Sequence, residues 1–591
     1  MDRNHRRLRT RRGVSGLVFL VLVLISGAWT KPVLATEPKA ALSDPHAAVF
    51  AENLYPSATV CAGCHQQVFS EWSSSNHAYA SISPMFHKFE QAITDFTAGT
   101  IGTFCVRCHQ QVGTQRGEPR EQALWERSLI AREGITCITC HRVSQQFGKV
   151  NGERQIDPAP IQAPVYNTGR GKALAEVIDK PEEYGLATAE KPDGKAIHGG
   201  VIQFEQLGRS EFCVSCHQVA VNIGIKLEVV WDQYRASPAA KHGVTCQDCH
   251  MGKVPGRAEG YDTGNIAIVN GKAVGDSGQR HSNHAFYGPG YPIAHPGLFP
   301  FNPRSLEWGI QDWLRFDYRA GWGKNDWEAK NAGLANDQFP APWQSREARE
   351  RARSIVEQNT KGLDYKRQLR KQVMENGSAI DGPFFNSQPK AGKSLGVRFV
   401  IRNTDDGHNL PSGSLGAQPE IWFNVALIDP DGKNVWESGY LDSKGDMADL
   451  HSDEVHSGKI QHDDQLVNLQ SKFLTTNIKG TDREMYLPVN FDGDQMPFLR
   501  PAGVPSSVLN HPPFVRMEAR SIPPLGERTA NYSIPASALK KPGTYKLQAR
   551  LRSRAEPIYF MNFVGATLDM QQSINEWMLD IHPYAVEFEV K

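Results

Sequence analysis

The sequence predicts a multidomain chain, with a mostly α, loop-rich domain over residues 50–300, a helical linker over 301–389 and an all-β, sandwich-like domain over 390–591. Three observations predict it. All ten cysteines lie in the first zone, in five copies of one short pattern. Ser345–Asn376 has helix-forming composition and no proline. From about Lys390 the apolar residues begin to alternate, which is the period of a half-buried strand.

Residues 1–35 read as an export signal. Arg3, Arg6, Arg7, Arg9, Arg11 and Arg12 form a basic head, Val14–Trp29 is apolar, and Val33-Leu34-Ala35 offers small residues for cleavage. The apolar run is short for a membrane span, which takes about 20 residues. A cleaved Sec-type signal is therefore expected rather than an uncleaved anchor, and the location expected is the periplasm or another extracytoplasmic space. Cleavage would take the formal net charge from +1 to −5. An acidic chain is a poor match for a phosphate backbone, so nucleic acid is not an expected partner.

The five copies are Cys61-Ala-Gly-Cys64-His65, Cys105-Val-Arg-Cys108-His109, Cys137-Ile-Thr-Cys140-His141, Cys213-Val-Ser-Cys216-His217 and Cys246-Gln-Asp-Cys249-His250. Cys-x-x-Cys-His reads as c-type haem attachment. The two thiols form thioethers with the haem vinyl groups, and the adjacent histidine is an axial iron ligand. Zinc ribbons do not need a histidine after every second cysteine, and a disulfide framework has no use for one. The cofactor expected is haem c, five copies, covalently attached.

The zone around these motifs is rich in Gly, Pro and polar turns, as suits a pentahaem cytochrome c domain in which porphyrins replace much of the side-chain core. It contains an internal repeat. Phe104-Cys-Val-Arg-Cys-His-Gln110 matches Phe212-Cys-Val-Ser-Cys-His-Gln218, and Ala131-Arg-Glu-Gly-Ile-Thr-Cys137 matches Ala240-Lys-His-Gly-Val-Thr-Cys246. Trp125 and Trp231 fall between the two motifs of each unit. A duplicated pair of sites builds a row of closely spaced haems, and electron tunnelling requires close spacing.

Function turns on the sixth position of each iron. Iron held by two side chains transfers electrons, whereas an open position binds small molecules. Candidate second ligands are His77, His198, His242, His281 and His284, with His87, His295 and His46 behind them. His242 is four residues before Cys246, where it points away from its own haem and toward a neighbour. Its repeat counterpart, Glu133, reads as a hydrogen-bonding group.

In the linker, Ser345 is the expected helix N-cap and Gly362 an interior break. Strands are expected at Leu395–Arg402, Glu420–Ile428, Tyr545–Leu551 and Ala585–Val590, with a hairpin turn at Asp429-Pro-Asp-Gly432. Trp422 and Trp436 read as core residues.

The first zone resembles the multihaem cytochromes c of the cytochrome c554 and hydroxylamine oxidoreductase superfamily. The resemblance rests on Trp72-x-x-Ser-x-His77, Phe-Cys-x-x-Cys-His-Gln, Gly243-Val-Thr-Cys-Gln-Asp-Cys-His-Met251 and His284-Ala-Phe-Tyr-Gly288, and covers roughly residues 50–290. It implies a helical, loop-rich haem domain with paired haems and mostly bis-histidine irons. Many similar proteins carry a C-terminal β domain with a Gly-His-x-Leu-Pro-Ser/Thr-Gly segment, here Gly407–Gly413. His408 within it reads as a turn-stabilising residue ahead of a ligand, because the segment looks like a loop between strands. Hydroxylamine oxidoreductases carry eight haems and ammonia-forming nitrite reductases a Cys-x-x-Cys-Lys site; this chain has neither.

The function expected is electron transfer through five haems between a redox protein donor and an acceptor, with a membrane quinol-oxidising complex as one donor. The alternative is a multihaem oxidoreductase acting on a small nitrogen or sulfur compound at one five-coordinate haem, with Arg107 and Glu133 among the groups available nearby. The β domain is either a docking module or a stabilising cap.

Overall fold

The computed structural model describes residues 54–96, 99, 101–148, 152, 154–220, 226–275, 278–291, 295–413, 419–449, 451–470, 472–476, 484–486, 514–518 and 520–591. The export signal and His46 lie outside these.

In the first zone regular structure is short, because Gly and Pro recur every few residues. Helices α1 (Gln66–Ser73) and α2 (Pro84–Phe96) follow the first motif and precede the second. Strands of two or three residues pair locally, such as Lys226–Glu228 with Val219–Ala220. Apolar side chains form small separate clusters there, for example Tyr55, Val112, Ile138 and Ile156.

A larger core begins where the tryptophans are. Trp313, Phe316 and Trp343 are fully buried with Tyr79 and Phe299 from the first zone. Trp313 and Trp343 lie 5.5 Å apart. Each satisfies its indole N–H on a carbonyl, Ser305 and Asp312 respectively, as a buried indole must.

Helix α3 (Arg346–Asn376) starts where Ser345 Oγ accepts the Ala348 N–H at 3.1 Å. At 1.5 Å per residue it is about 46 Å long. Its buried stripe touches three regions in turn. Ala352, Ile355, Val356 and Leu363 join the tryptophan core, Leu369 packs on Ala285 and Tyr287, and Met374 enters the β core. Gly362 does not break this helix. A Cβ there would meet Pro300 Cγ at 2.4 Å, so the missing side chain lets a rigid ring approach. Gly362→Ala gains about 1 kcal/mol of helix propensity, but overpacking costs about 1–3 kcal/mol. Net destabilisation of up to about 2 kcal/mol is expected in denaturant titration; a stabilised variant would show that Pro300 can yield.

Strand β1 (Ser378–Phe385) begins within the expected helical linker, and the last zone adds β2 (Leu395–Asn403), β3 (Glu420–Ile428), β4 (Asn434–Ser438), β5 (Glu527–Ile534), β6 (Gly543–Arg554) and β7 (Leu579–Val590). They form two antiparallel sheets, ordered β5-β2-β1 and β4-β3-β6-β7, with Val467–Asn468 also paired to β3. Asp429–Gly432 turns the chain between β3 and β4, the Gly432 N–H donating to the Asp429 carbonyl at 2.9 Å. Val397, Phe399 and Ile401 of one sheet share a core with Phe423, Val425, Leu547 and Leu551 of the other. Trp422, on the opposite face of β3, is fully buried under Arg552 and Arg554.

The all-β expectation for this zone is corrected by a helical turn at Asp453–His456 and, more extensively, by a helical insertion. Between β6 and β7 lie helices α4 (Ile558–Phe563) and α5 (Leu568–Glu576). Ile558, Phe560, Met561 and Ile574 project from them into the tryptophan core. Contacts accordingly group Asn53–Lys591 as one unit. No helix among the described residues is long and apolar enough to cross a membrane.

Candidate haem-binding site

Each Cys-x-x-Cys-His closes one tight turn. The histidine N–H reaches back to the first cysteine carbonyl, at 2.8 Å for His65, 3.2 Å for His109 and 3.0 Å for His217. This closure sets positions i, i+3 and i+4 on one side of the turn. All ten cysteines and all five motif histidines line one continuous cavity of about 1660 Å³. No disulfide joins the cysteines.

The outer nitrogen of each motif imidazole is engaged. Nδ1 of His65 bonds the Ile266 carbonyl at 2.9 Å, that of His109 the Ala80 carbonyl at 2.8 Å, and that of His141 the Tyr166 carbonyl at 2.9 Å. His250 uses the Tyr287 carbonyl. His217 instead meets a carboxylate, Glu228 Oε1, at 3.3 Å. A proton fixed on Nδ1 leaves the Nε2 lone pair for a metal.

Four motif histidines face a second imidazole across the cavity. His65 faces His198 with ring centroids 6.3 Å apart and planes 16° from parallel. His141 faces His284 at 6.4 Å and 28°, and His250 faces His408 at 6.1 Å and 21°. His217 faces His77 at 6.2 Å, with planes tilted by 54°. Two metal–imidazole bonds of about 2 Å, with each centroid about 1 Å behind its nitrogen, place facing rings about 6 Å apart. The spacing therefore fits an iron between each pair. Burial holds His77 neutral, with its pKa pushed down to about 3, and pushes His198 and His284 down to about 4. Neutral imidazole is the form that binds a metal. His217 departs from this pattern. Burial, the largest effect, opposes its protonation, but the hydrogen bond and charge of Glu228 together with the Cys216 and Cys246 thiols raise it to about 9.

The remaining motif histidine, His109 of the second copy, has no imidazole facing it among the described residues. The Phe86 ring of α2 stacks beside it at 4.0 Å, nearly parallel.

Three expectations change here. His242 is exposed at the end of the Pro238–Lys241 turn and reaches no imidazole. His281 lines the cavity, but its Nε2 bonds Glu71 Oε1 at 2.8 Å. Glu71 also accepts the His284 N–H at 2.9 Å, so this pair steadies the chain beside His284. His408 is the opposite case. It was expected in a turn, and its loop does fold on itself, but the ring is presented to His250. Among the lesser candidates, His87 bonds the Ser81 carbonyl at 2.7 Å, and His295 is buried on the Phe316 carbonyl at 2.6 Å. Glu133 is indeed a hydrogen-bonding group, accepting from the Ala58 N–H at 2.9 Å and the Thr136 hydroxyl at 2.8 Å.

Local sequence explains how His77 is held. Its carbonyl accepts the Ile135 N–H at 2.9 Å, just before the third motif. Gly134 has φ +67°, and a Cβ on it would lie 2.5 Å from the same carbonyl oxygen. Only glycine allows both the left-handed backbone and the close approach. Trp72 completes the support by donating its indole N–H to the Ile135 carbonyl at 2.8 Å.

Spatial order differs from sequence order. The Cys61 thiol contacts Cys137, Cys108 contacts Cys216, and Cys213 contacts Cys246. The first motif thus lies beside the third, and the fourth lies beside both the second and the fifth. The charge of Arg154 acts on Cys108, Cys140, Cys213 and Cys216 together.

Residues 60–142 match the family described as cytochrome c554 and c-prime. This segment spans the first three motifs and supports a multihaem c-type cytochrome. Among solved structures, a penta-haem cytochrome c552 from Thermochromatium tepidum superposes with a TM-score of 0.48 at 14% identity, covering 91% of this chain and 100% of that one. A Pseudomonas fluorescens alkylpurine DNA glycosylase bound to abasic-site DNA gives a TM-score of 0.14 at 10% identity over 49% of this chain and 52% of that one. Neither superposition reaches the level of a shared overall fold. No curated protein matches the chain.

Proposed function

We propose that this chain is an exported, periplasmic electron carrier with five covalent haems, passing single electrons between redox proteins. The observation that carries the reading is the set of four facing imidazole pairs at 6.1–6.4 Å. Haem c held by these histidine pairs would supply one-electron chemistry. In this reading the ten motif cysteines would tether the porphyrins, and each motif histidine would hold an iron. His198, His77, His284 and His408 are the other ligands. The carbonyl bonds to Nδ1 fix ring orientation, so little rearranges when the charge changes. Contacts join motifs one and three, and separately join two, four and five, and Arg154 stands where the two groups meet, acting on Cys140 of the third motif and on Cys216 of the fourth. The two-sheet domain has the layout of a β-sandwich and contributes His408, which makes it more than a cap. A quinol-oxidising complex is one donor consistent with this role.

A second reading concerns the second motif. His109 faces no imidazole among the described residues, so its haem is the one at which a small nitrogen or sulfur compound would bind. EPR of the oxidised holoprotein, with haem quantified, tests both readings. The expected spectrum is dominated by low-spin signals, with about one haem in five high-spin and shifted by cyanide, nitrite or hydroxylamine. Wholly low-spin signals, unmoved by these ligands, would remove the second reading. Mostly high-spin haem would sink the first.

A further inference from the structure

His217 is distinguished from the other motif histidines by what holds its outer nitrogen. His65, His109, His141 and His250 each use a peptide carbonyl. His217 uses the carboxylate of Glu228. The local fold brings this about. The chain leaving the fourth motif forms Val219–Ala220 and returns as Lys226–Glu228, with Val219 paired to Glu228. The return strand therefore carries the carboxylate back to the motif it left. The Glu228 side chain is only 19% exposed, so water screens it weakly.

An imidazole that gives its N–H to a carboxylate is more electron-rich than one that gives it to a peptide oxygen. A more electron-rich axial ligand favours the more positive iron state. The same motif is also the junction of the cluster, since Cys216 contacts Cys108 and Cys213 contacts Cys246. Arg154 pulls potentials the other way, but its charge is shared among the second, third and fourth motifs. Among the motif histidines only His217 bonds a carboxylate, although the Glu228 charge also reaches Cys108 and His109 of the second motif and Asp405 lies 3.5 Å from His408 Nδ1 beside the fifth.

We propose that Glu228 is a positioning residue that sets the reduction potential at the fourth motif below those at the second and fifth motifs it touches. This rests on the reading that His217 and His77 hold iron. Electrons would then reside on either side of the junction and cross it only transiently. The junction would act as a divider between the branch ending at His109 and the branch ending at His250.

The test is a redox titration of the full-length holoprotein followed by visible absorption and EPR, in wild type, Glu228→Gln and Glu228→Asp. His77→Gly identifies the component belonging to the fourth motif by removing it from the low-spin set. Glu228→Gln is expected to raise the reduced-to-oxidised ratio of that component about tenfold at fixed potential, about 59 mV for one electron. Haem content should stay at five. Glu228→Asp, which keeps the charge, should keep most of the low potential. An unmoved component in Glu228→Gln with five haems retained overturns the proposal and leaves the ligand assignment standing. If His77→Gly leaves every low-spin signal in place, the ligand assignment itself fails, and the proposal with it.

Discussion

Replacing His408 with alanine is expected to convert one low-spin haem of the purified protein into a high-spin, cyanide-binding haem, with the haem content per chain unchanged. The expectation follows from the 6.1 Å, nearly parallel placement of His408 against His250. The loop bearing His408 is anchored independently of its imidazole. Asn409 N–H and Ser412 Oγ both donate to Gln233 Oε1, at 3.3 and 2.7 Å, and Ala239 N–H donates to the Asp406 carbonyl at 3.1 Å. The loop should therefore stay docked when the ring is removed, so the spectroscopic change should far exceed the change in thermal midpoint. An EPR spectrum identical to wild type would mean that His408 serves only its own turn.

The second large effect is expected at the pair Glu420–Arg554, which joins the edge of the β core to the helical insertion. Both side chains are at most 1% exposed. Arg554 Nε donates to Glu420 Oε2 at 2.9 Å, and the guanidinium also reaches the Gly445 carbonyl and Asn575. Two further acids share the neighbourhood, Asp446, pushed up to about 7 mainly by burial, and Glu556, raised by burial and by Glu420. Arg554→Met removes the cation that this group depends on. Breaking one partner of a buried pair costs about 3–5 kcal/mol, and the adjacent acids place this case at the upper end. The double variant Arg554→Met/Glu420→Met leaves no stranded Glu420 charge and should recover most of the loss. Denaturant unfolding followed by far-ultraviolet circular dichroism distinguishes the cases. Equal losses in the single and double variants would show that packing, not charge, is what Arg554 contributes.

Much of the site was legible because a c-type motif is a local instruction. One helical turn fixes both thiols and the histidine, so five motifs could be read from spacing alone. The α3 helix was legible for the same reason, through Ser345 and the residues after it, and the strands through alternation. Which imidazole faces which was not legible. His65 and His198, or His141 and His284, are brought together by contacts between residues more than a hundred positions apart, and no local pattern encodes them. His242 misled because its spacing from Cys246 suggested reach, while the turn after Pro238 leaves it exposed in solvent. His408 does sit in a loop, as its flanking Gly and Pro imply. What the sequence lacks is the tertiary fact that Gln233 holds this loop against the fifth motif. Glu228 carried no signal at all, because its significance comes from a two-strand return visible only in three dimensions.

The α3 helix has a consequence for the kinds of change this chain can tolerate. It is threaded through three neighbourhoods by one stripe of side chains, and each residue on it is offset by about 100° from the last. Substitutions on its outer face leave the stripe where it is. A single inserted or deleted residue between Arg346 and Asn376 would rotate everything beyond it by about 100° and shift it by about 1.5 Å along the axis. Leu369 and Met374 would then leave the surfaces they cover, and β1, which begins two residues after the helix ends, would enter its sheet with the wrong face inward. Length along this stretch is thus as tightly constrained as the spacing within the motifs themselves.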